Sequence, residues 1–267
     1  MSSRSTVSAA GAALSLALAL VAFATPSAVH AQDARLCTSP PGIDALEHPP
    51  AHIRDRIAKG LPLKIVAIGS SSTSGAGASS SAATYPSRLE AELKAKLPGL
   101  PITVLNKGIG GEEASQMTAR FDADVIDENP DLVLWQVGSN SVLRDHQTPG
   151  EIIRQGVEKL KASGAEVILI NPQYAPKIIS KPGVGQSVDV ITATAHDAEV
   201  GLFDRFSVMR HWVDTEHMAF EQFLSPDLLH MNDWSYACVA KLLANAIVDG
   251  AKQPAATAIV APGAIKR

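Results

Sequence analysis

Short runs of apolar residues recur along this chain, each closed by Gly, Asn or Asp: "LKIVAIG" (63–69), "ITVLN" (102–106), "DLVLWQVG" (131–138), "AEVILIN" (165–171) and a shorter "GLFD" (201–204). Runs that are apolar throughout, rather than alternating, predict strands buried on both faces, which is the habit of parallel sheets. Between the runs lie helix-length stretches. "YPSRLEAELKAKLPG" (85–99) repeats Leu at 89, 93 and 97 and stops at Pro98-Gly99. Residues 112–129, 187–200 and 234–250 read as further helices, and 148–164 reads as one capped by Thr148 with Pro149 at its first position. Strand and helix in alternation predict an α/β protein, a three-layer α/β/α sandwich around a mostly parallel sheet of about five strands. A length of 267 residues, 46% of them hydrophobic, suits a single domain of this kind.

The two ends read differently. Arg4, an apolar stretch over residues 9–24, Pro26 and small residues at Val29 and Ala31 predict a secretory signal peptide over residues 1–31. The alternative, a membrane anchor, calls for an apolar run of about 20 residues. Residues 32–60 are polar and proline-rich and form an N-terminal extension with one short helix around Ile53 and Ile57; the domain follows over 61–250, and 251–267 read as a flexible tail. The expected destination is the periplasm or the exterior. There, Cys37 and Cys238 could form one disulfide, or remain one buried and one exposed thiol. The eight histidines are scattered, so no metal site and no cofactor is expected. A net charge of -4 and 4% aromatic residues leave no basic surface and few stacking platforms for nucleic acid.

In such a sheet, ligands bind at the carboxyl ends of the strands, so chemistry is expected in the loops over 69–84, 107–112, 138–147 and 171–186. The first loop is rich in Ser and Gly. It has no lysine for a phosphate-binding loop, lacks the third glycine of a dinucleotide fingerprint, and contains no Gly-x-Ser-x-Gly. A serine nucleophile would need a base, a group to orient the base, and donors for an oxyanion. Asp227 and His230, three apart in "SPDLLHMND", could supply the first two, or be only a capping Asp and a surface His. The glycines of "NKGIGGEEA" (106–114) precede a helix, where N–H groups point outward, or simply make a turn. Asn140 in "WQVGSNS" offers a carboxamide donor, or is there for turn geometry. Ser79–Ser81 read as flexible filler, and Trp135 and Trp212 as core or rim residues.

Taken together, these four segments resemble the blocks of the SGNH (GDSL-type) hydrolases. Gly69-Ser70-Ser71-Ser72-Thr73-Ser74-Gly75 is similar to the first block, "NKGIGGE" to the second, Gly138-Ser139-Asn140-Ser141 to the third and Asp227-Leu228-Leu229-His230 to the last. The resemblance implies a flavodoxin-like fold and a secreted serine esterase acting on short acyl or O-acetyl esters, carried by small molecules or saccharides. It implies Ser71, His230 and Asp227 as the catalytic groups, and Ser71, Gly111 and Asn140 as the oxyanion hole. The same acyl-enzyme would also serve an acyltransferase, and a catalytically silent envelope binding protein would keep the fold alone. Two positions depart from the family pattern: Ser70 and Ser141 stand where acidic residues are usual.

Overall fold

The computed structural model describes residues 37–42 and 45–252, so the leader expected over residues 1–31 and nearly all of the expected tail lie outside the described residues. The described elements run α1 (Ala51–Ala58), β1 (Leu63–Gly69), α2 (Ser71–Ser74), α3 (Tyr85–Lys96), β2 (Ile102–Gly108), α4 (Ala114–Ala119), α5 (Phe121–Asp124) and β3 (Leu132–Gln136). They continue with α6 (Ser139–Leu143), α7 (Gly150–Ala162), β4 (Glu166–Ile170), α8 (Pro176–Ile179), α9 (Val184–Asp197), β5 (Gly201–Phe203), α10 (Arg205–Asp214) and α11 (Asp233–Lys252).

The five strands form one parallel sheet in the order β2-β1-β3-β4-β5. Successive side chains on a strand point to opposite faces, and both faces are covered. Ile65, Ala67, Leu132, Leu134, Ile168 and Ile170 pack under α1, α3, α10 and α11. Val66, Ile68, Val133, Trp135, Val167 and Leu169 pack under α4, α5, α7 and α9. This is the three-layer sandwich expected from the apolar runs. The chain leaves β1 toward β2 on one side and reaches β3 on the other, so a crevice opens between the carboxyl ends of β1 and β3.

The segment before β1 is tied to the domain. Cys37 and Cys238 are joined by a disulfide with Cα atoms 5.3 Å apart, and the Glu166 carboxylate accepts from the N–H groups of His52 and Ile53, capping α1. Trp135 and Trp212 are fully buried.

Several local expectations are corrected. Residues 112–129 are not one helix but two short ones and a 3-10 turn, broken at Arg120. The Arg120 guanidinium binds Glu112, Asp124 and the Lys107 carbonyl, and the bend lets Met117, Phe121 and Val125 all reach the sheet. Thr148 does not cap α7: its hydroxyl donates to Ser187 Oγ at 2.6 Å, joining α7 to α9. The helix expected at 187–200 starts at Val184 and ends at Asp197. Helix α10 was not anticipated, although Asp204, which accepts from Ser207 N–H at 3.0 Å, is an ordinary N-cap. Ser79–Ser81 are not filler. The Asp233 carboxylate accepts from both the N–H and the hydroxyl of Ser79, and Ser81 opens a 3-10 turn.

Gly156 sits in mid-helix on α7, where a Cβ would lie 2.5 Å from the Trp135 ring. Helix propensity alone favours alanine there by about 1 kcal/mol, but forcing a methyl against a rigid buried indole typically costs about 1–3 kcal/mol. Gly156→Ala is therefore expected to lower stability in urea unfolding, by up to about 2 kcal/mol. A gain in stability would show that Trp135 can yield.

Candidate active site

Three loops converge at the crevice. The first turns from β1 straight into α2. Ser70, Ser72 and Thr73 on this turn are buried, whereas Ser71 is partly exposed at the first helical position. That distinguishes the three consecutive serines: only Ser71 reaches the histidine, its Oγ 2.8 Å from His230 Nε2. On the far side of the ring, His230 Nδ1 is 2.5 Å from Asp227 Oδ2. With a proton on Nδ1 directed at the carboxylate, Nε2 is left to accept from the Ser71 hydroxyl.

Asp227 is itself held on several sides. Its Oδ1 accepts from the backbone N–H groups of Leu229 and His230 and from the Ser225 hydroxyl. Partial burial alone would raise its pKa. The His230 N–H, the His230 ring, Ser225 and the Leu229 N–H outweigh that and hold the carboxyl well below the usual carboxylate range. The turn itself is tight, with Leu228 at φ 55°.

The second loop, residues 106–114, lies directly on the first. Ile109 N–H donates to the Gly69 carbonyl, and a Cβ on Gly108 would stand 2.1 Å from Ser74 N, so only glycine fits that crossing. An ideal Cβ at Gly110 would lie 4.0 Å from Ser71 Cβ. Gly111 follows with φ +83°. Among the described residues, the N–H groups of Ser71 and Gly111 donate to no acceptor.

The third loop brings Asn140 to this same place on α6. Its Nδ2 donates to the Glu112 carbonyl at 2.8 Å, which joins the second and third loops and leaves the other amide hydrogen uncommitted. Ser141 turns its hydroxyl to Glu113 Oε2 at 3.0 Å. The Glu113 carboxylate also takes Arg144 Nη1 and His146 Nδ1, and Arg144 Nη2 donates to the Gly111 carbonyl. Burial would raise the Glu113 pKa, but Arg144, His146 and Ser141 together keep it lowered.

Beneath the loops runs a buried polar layer. Ser139 Oγ donates to Gln173 Oε1, and Gln173 Nε2 reaches the Leu229 carbonyl next to His230. The Arg205 guanidinium, fully buried, donates to the Asn171 carbonyl and to Gln173. Burial pulls its pKa down to about 10, against the opposing pull of Tyr85 and Tyr236.

All five residues singled out for chemistry, Ser71, Gly111, Asn140, Asp227 and His230, thus lie on loops that contact one another at one sheet edge. Sequence reasoning missed Gln136, Glu113, Gln173 and Arg205. Gln136 did leave a trace, as the one amide inside the apolar run of β3. Among the described residues, no group of three His, Cys, Asp or Glu side chains is arranged to hold a metal ion.

The comparisons with known proteins agree with this architecture. The family model described as the Non-GDSL lipase-like family matches residues 36–253. An acetylxylan esterase of Geobacillus stearothermophilus is 42% identical over 57 residues, 21% of this chain and 26% of that protein. A two-domain esterase active on acetylated mannans, crystallised with mannopentaose, superposes with a TM-score of 0.67 at 21% identity, over 79% of this chain and 56% of the other. The crystal structure of Axe2, an acetylxylan esterase from Geobacillus stearothermophilus, gives 0.57 at 22% identity, over 72% and 95% of the two chains. The chain thus spans about a quarter of the curated relative and a little over half of the mannan esterase. At these identities, the two structural likenesses speak to the fold.

Gly77, at φ +88°, passes so close to the histidine loop that a Cβ would lie 2.4 Å from the Met231 carbonyl and 3.1 Å from His230 Cβ. Gly77→Ala should therefore push His230 away from Ser71 and lower kcat by about 10²-fold, the usual scale for a misplacement near 1 Å; steady-state kinetics check it. For Asp227 the folded pKa is depressed, so the stability linked to its charge is complete above the ordinary carboxyl range and is lost as pH falls through the folded value. In urea unfolding, the stability gap between wild type and Asp227→Asn should be widest near neutral pH and close as the solution is acidified. A gap unchanged by acid would refute the linkage.

Proposed function

The chain belongs to the Non-GDSL lipase-like family, and from that footing we propose that it is a secreted serine esterase that removes O-acetyl or other short acyl groups from a saccharide. The observation that carries this reading is the unbroken series Asp227–His230–Ser71, set in the crevice between β1 and β3 with donors on two neighbouring loops. The named relatives favour the saccharide: one is an acetylxylan esterase, another is active on acetylated mannans.

In the proposed reaction, Ser71 Oγ attacks the ester carbonyl carbon while its proton passes to His230 Nε2. Asp227 fixes the ring and stabilises the imidazolium. The negative oxygen of the tetrahedral intermediate is met by the N–H groups of Ser71 and Gly111 and by the uncommitted Asn140 hydrogen. Collapse breaks the bond to the sugar oxygen, which takes the proton from His230. A water molecule then repeats the sequence on the acyl-Ser71 ester and releases the carboxylic acid.

A periplasmic or extracellular location fits the Cys37–Cys238 disulfide, since such bonds persist in oxidising compartments. We place signal cleavage after Ala31. Among the described residues, no helix is long and apolar enough to cross a membrane.

The test uses a fluorophosphonate serine probe together with acetate release from acetylated xylo- and manno-oligosaccharides. Wild type should label and turn over, and Ser71→Ala should do neither. Asn140→Ala should lose about 10²–10³ in kcat with KM little changed, as expected for a donor used mainly in the transition state. Equal labelling of wild type and Ser71→Ala would sink the assignment.

A further inference from the structure

Gln136 ends β3 and is completely buried, yet it is polar. Its Oε1 lies 3.0 Å from the Ser70 backbone nitrogen, 3.0 Å from Ser70 Oγ and 3.3 Å from Thr73 Oγ1. A backbone N–H can only donate, so the atom facing Ser70 must be the carboxamide oxygen. That assignment leaves Nε2 buried and without a partner among the described residues.

An orphaned amide group in the core is destabilising, and a leucine or methionine would fill the same space without one. The oxygen is what such a residue would be kept for. It gathers donors from both ends of the turn that carries Ser71, one residue before it and two after. Nothing intervenes: a Cβ on Gly69 would be 2.9 Å from both the Cβ and the Oε1 of Gln136. Thr73 is further held by the buried Tyr85 hydroxyl at 3.3 Å.

We propose that Gln136 is a positioning residue: its neutral carboxamide oxygen fixes the turn presenting Ser71, in a turn whose own residue 70 carries a hydroxyl and no charge. The inference rests on the reading of Ser71 as nucleophile.

The test sets reach against charge. Gln136→Asn keeps the amide but withdraws it by one methylene. Gln136→Glu keeps the reach and, ionised or protonated, still turns an oxygen to the Ser70 N–H. A merely space-filling polar residue would tolerate the neutral Asn better than a buried Glu. Positioning predicts the reverse order: kcat down by about 10-fold or more for Gln136→Asn with KM within about 2-fold, and Gln136→Glu within about 3-fold of wild type. Fluorophosphonate labelling rates of folded protein should follow the same order. Asn equal to or better than Glu, or Gln136→Asn at wild-type kcat, overturns the proposal. The Ser71→Ala control separates the two failures: if it still labels, the nucleophile assignment fails; if it is silent and the order is wrong, only the role of Gln136 fails.

Discussion

Ser71 and His230 are 159 residues apart in sequence, and the 2.8 Å contact between them spans the whole architecture. One partner stands where β1 ends; the other stands just before α11 begins. The contact therefore depends on α11 packing in register against α3 and the sheet, and on the loop before it being held at both ends. Asp227 holds it from within through Ser225 and two backbone N–H groups. The Asp233–Ser79 hydrogen bonds tie the start of α11 to the first loop. A single-atom contact is thus the resultant of long-range packing, and the local hydrogen bonds take up the remaining freedom.

The two serines that stand where the GDSL-type blocks usually carry acidic residues acquire a physical meaning in this setting. Ser70 and Ser141 are both buried, and each donates its hydroxyl to an acceptor on another segment: Ser70 to the Gln136 amide, Ser141 to the Glu113 carboxylate. The acceptors are thus present, but on neighbouring segments. Around residue 70 the acceptor is neutral, so the turn that presents Ser71 carries no charge of its own. Around residue 141 the carboxylate comes from the second loop and is matched by Arg144 and His146, so the loop cluster remains a charged network joined at a different point.

The fold was legible because the central parallel strands β1, β3 and β4 are buried on both faces and so nearly apolar throughout, and their runs stand out from the helical stretches between them, whereas β2 lies at the sheet edge and is half-exposed. The fifth strand is only Gly201–Phe203 and was visible as little more than "GLF". The meeting of Ser71, Asn140, Asp227 and His230 at one sheet edge was legible from the order and spacing of four segments rather than from any serine or histidine alone. What escaped was what sequence does not encode locally. The bend at Arg120 comes from three partners brought in by tertiary structure. The hydrogen bond of Thr148 to Ser187 joins two residues 39 positions apart and overrides a plausible cap. Ser79–Ser81 have the composition of a linker, and they are ordered by Asp233 on Ser79 and by Thr84 and Ser87 on the Ser81 carbonyl.

The disulfide, finally, has a consequence in time. Cys37 and Cys238 are separated by 201 residues, and strands β1 to β5 all lie between them. A chain made from its amino end emits the segments of all five strands before Cys238 exists, so Cys37 has no partner through nearly all of synthesis. The crosslink closes a loop that contains every strand of the sheet, so it restrains the unfolded chain as a whole and favours no one strand pairing.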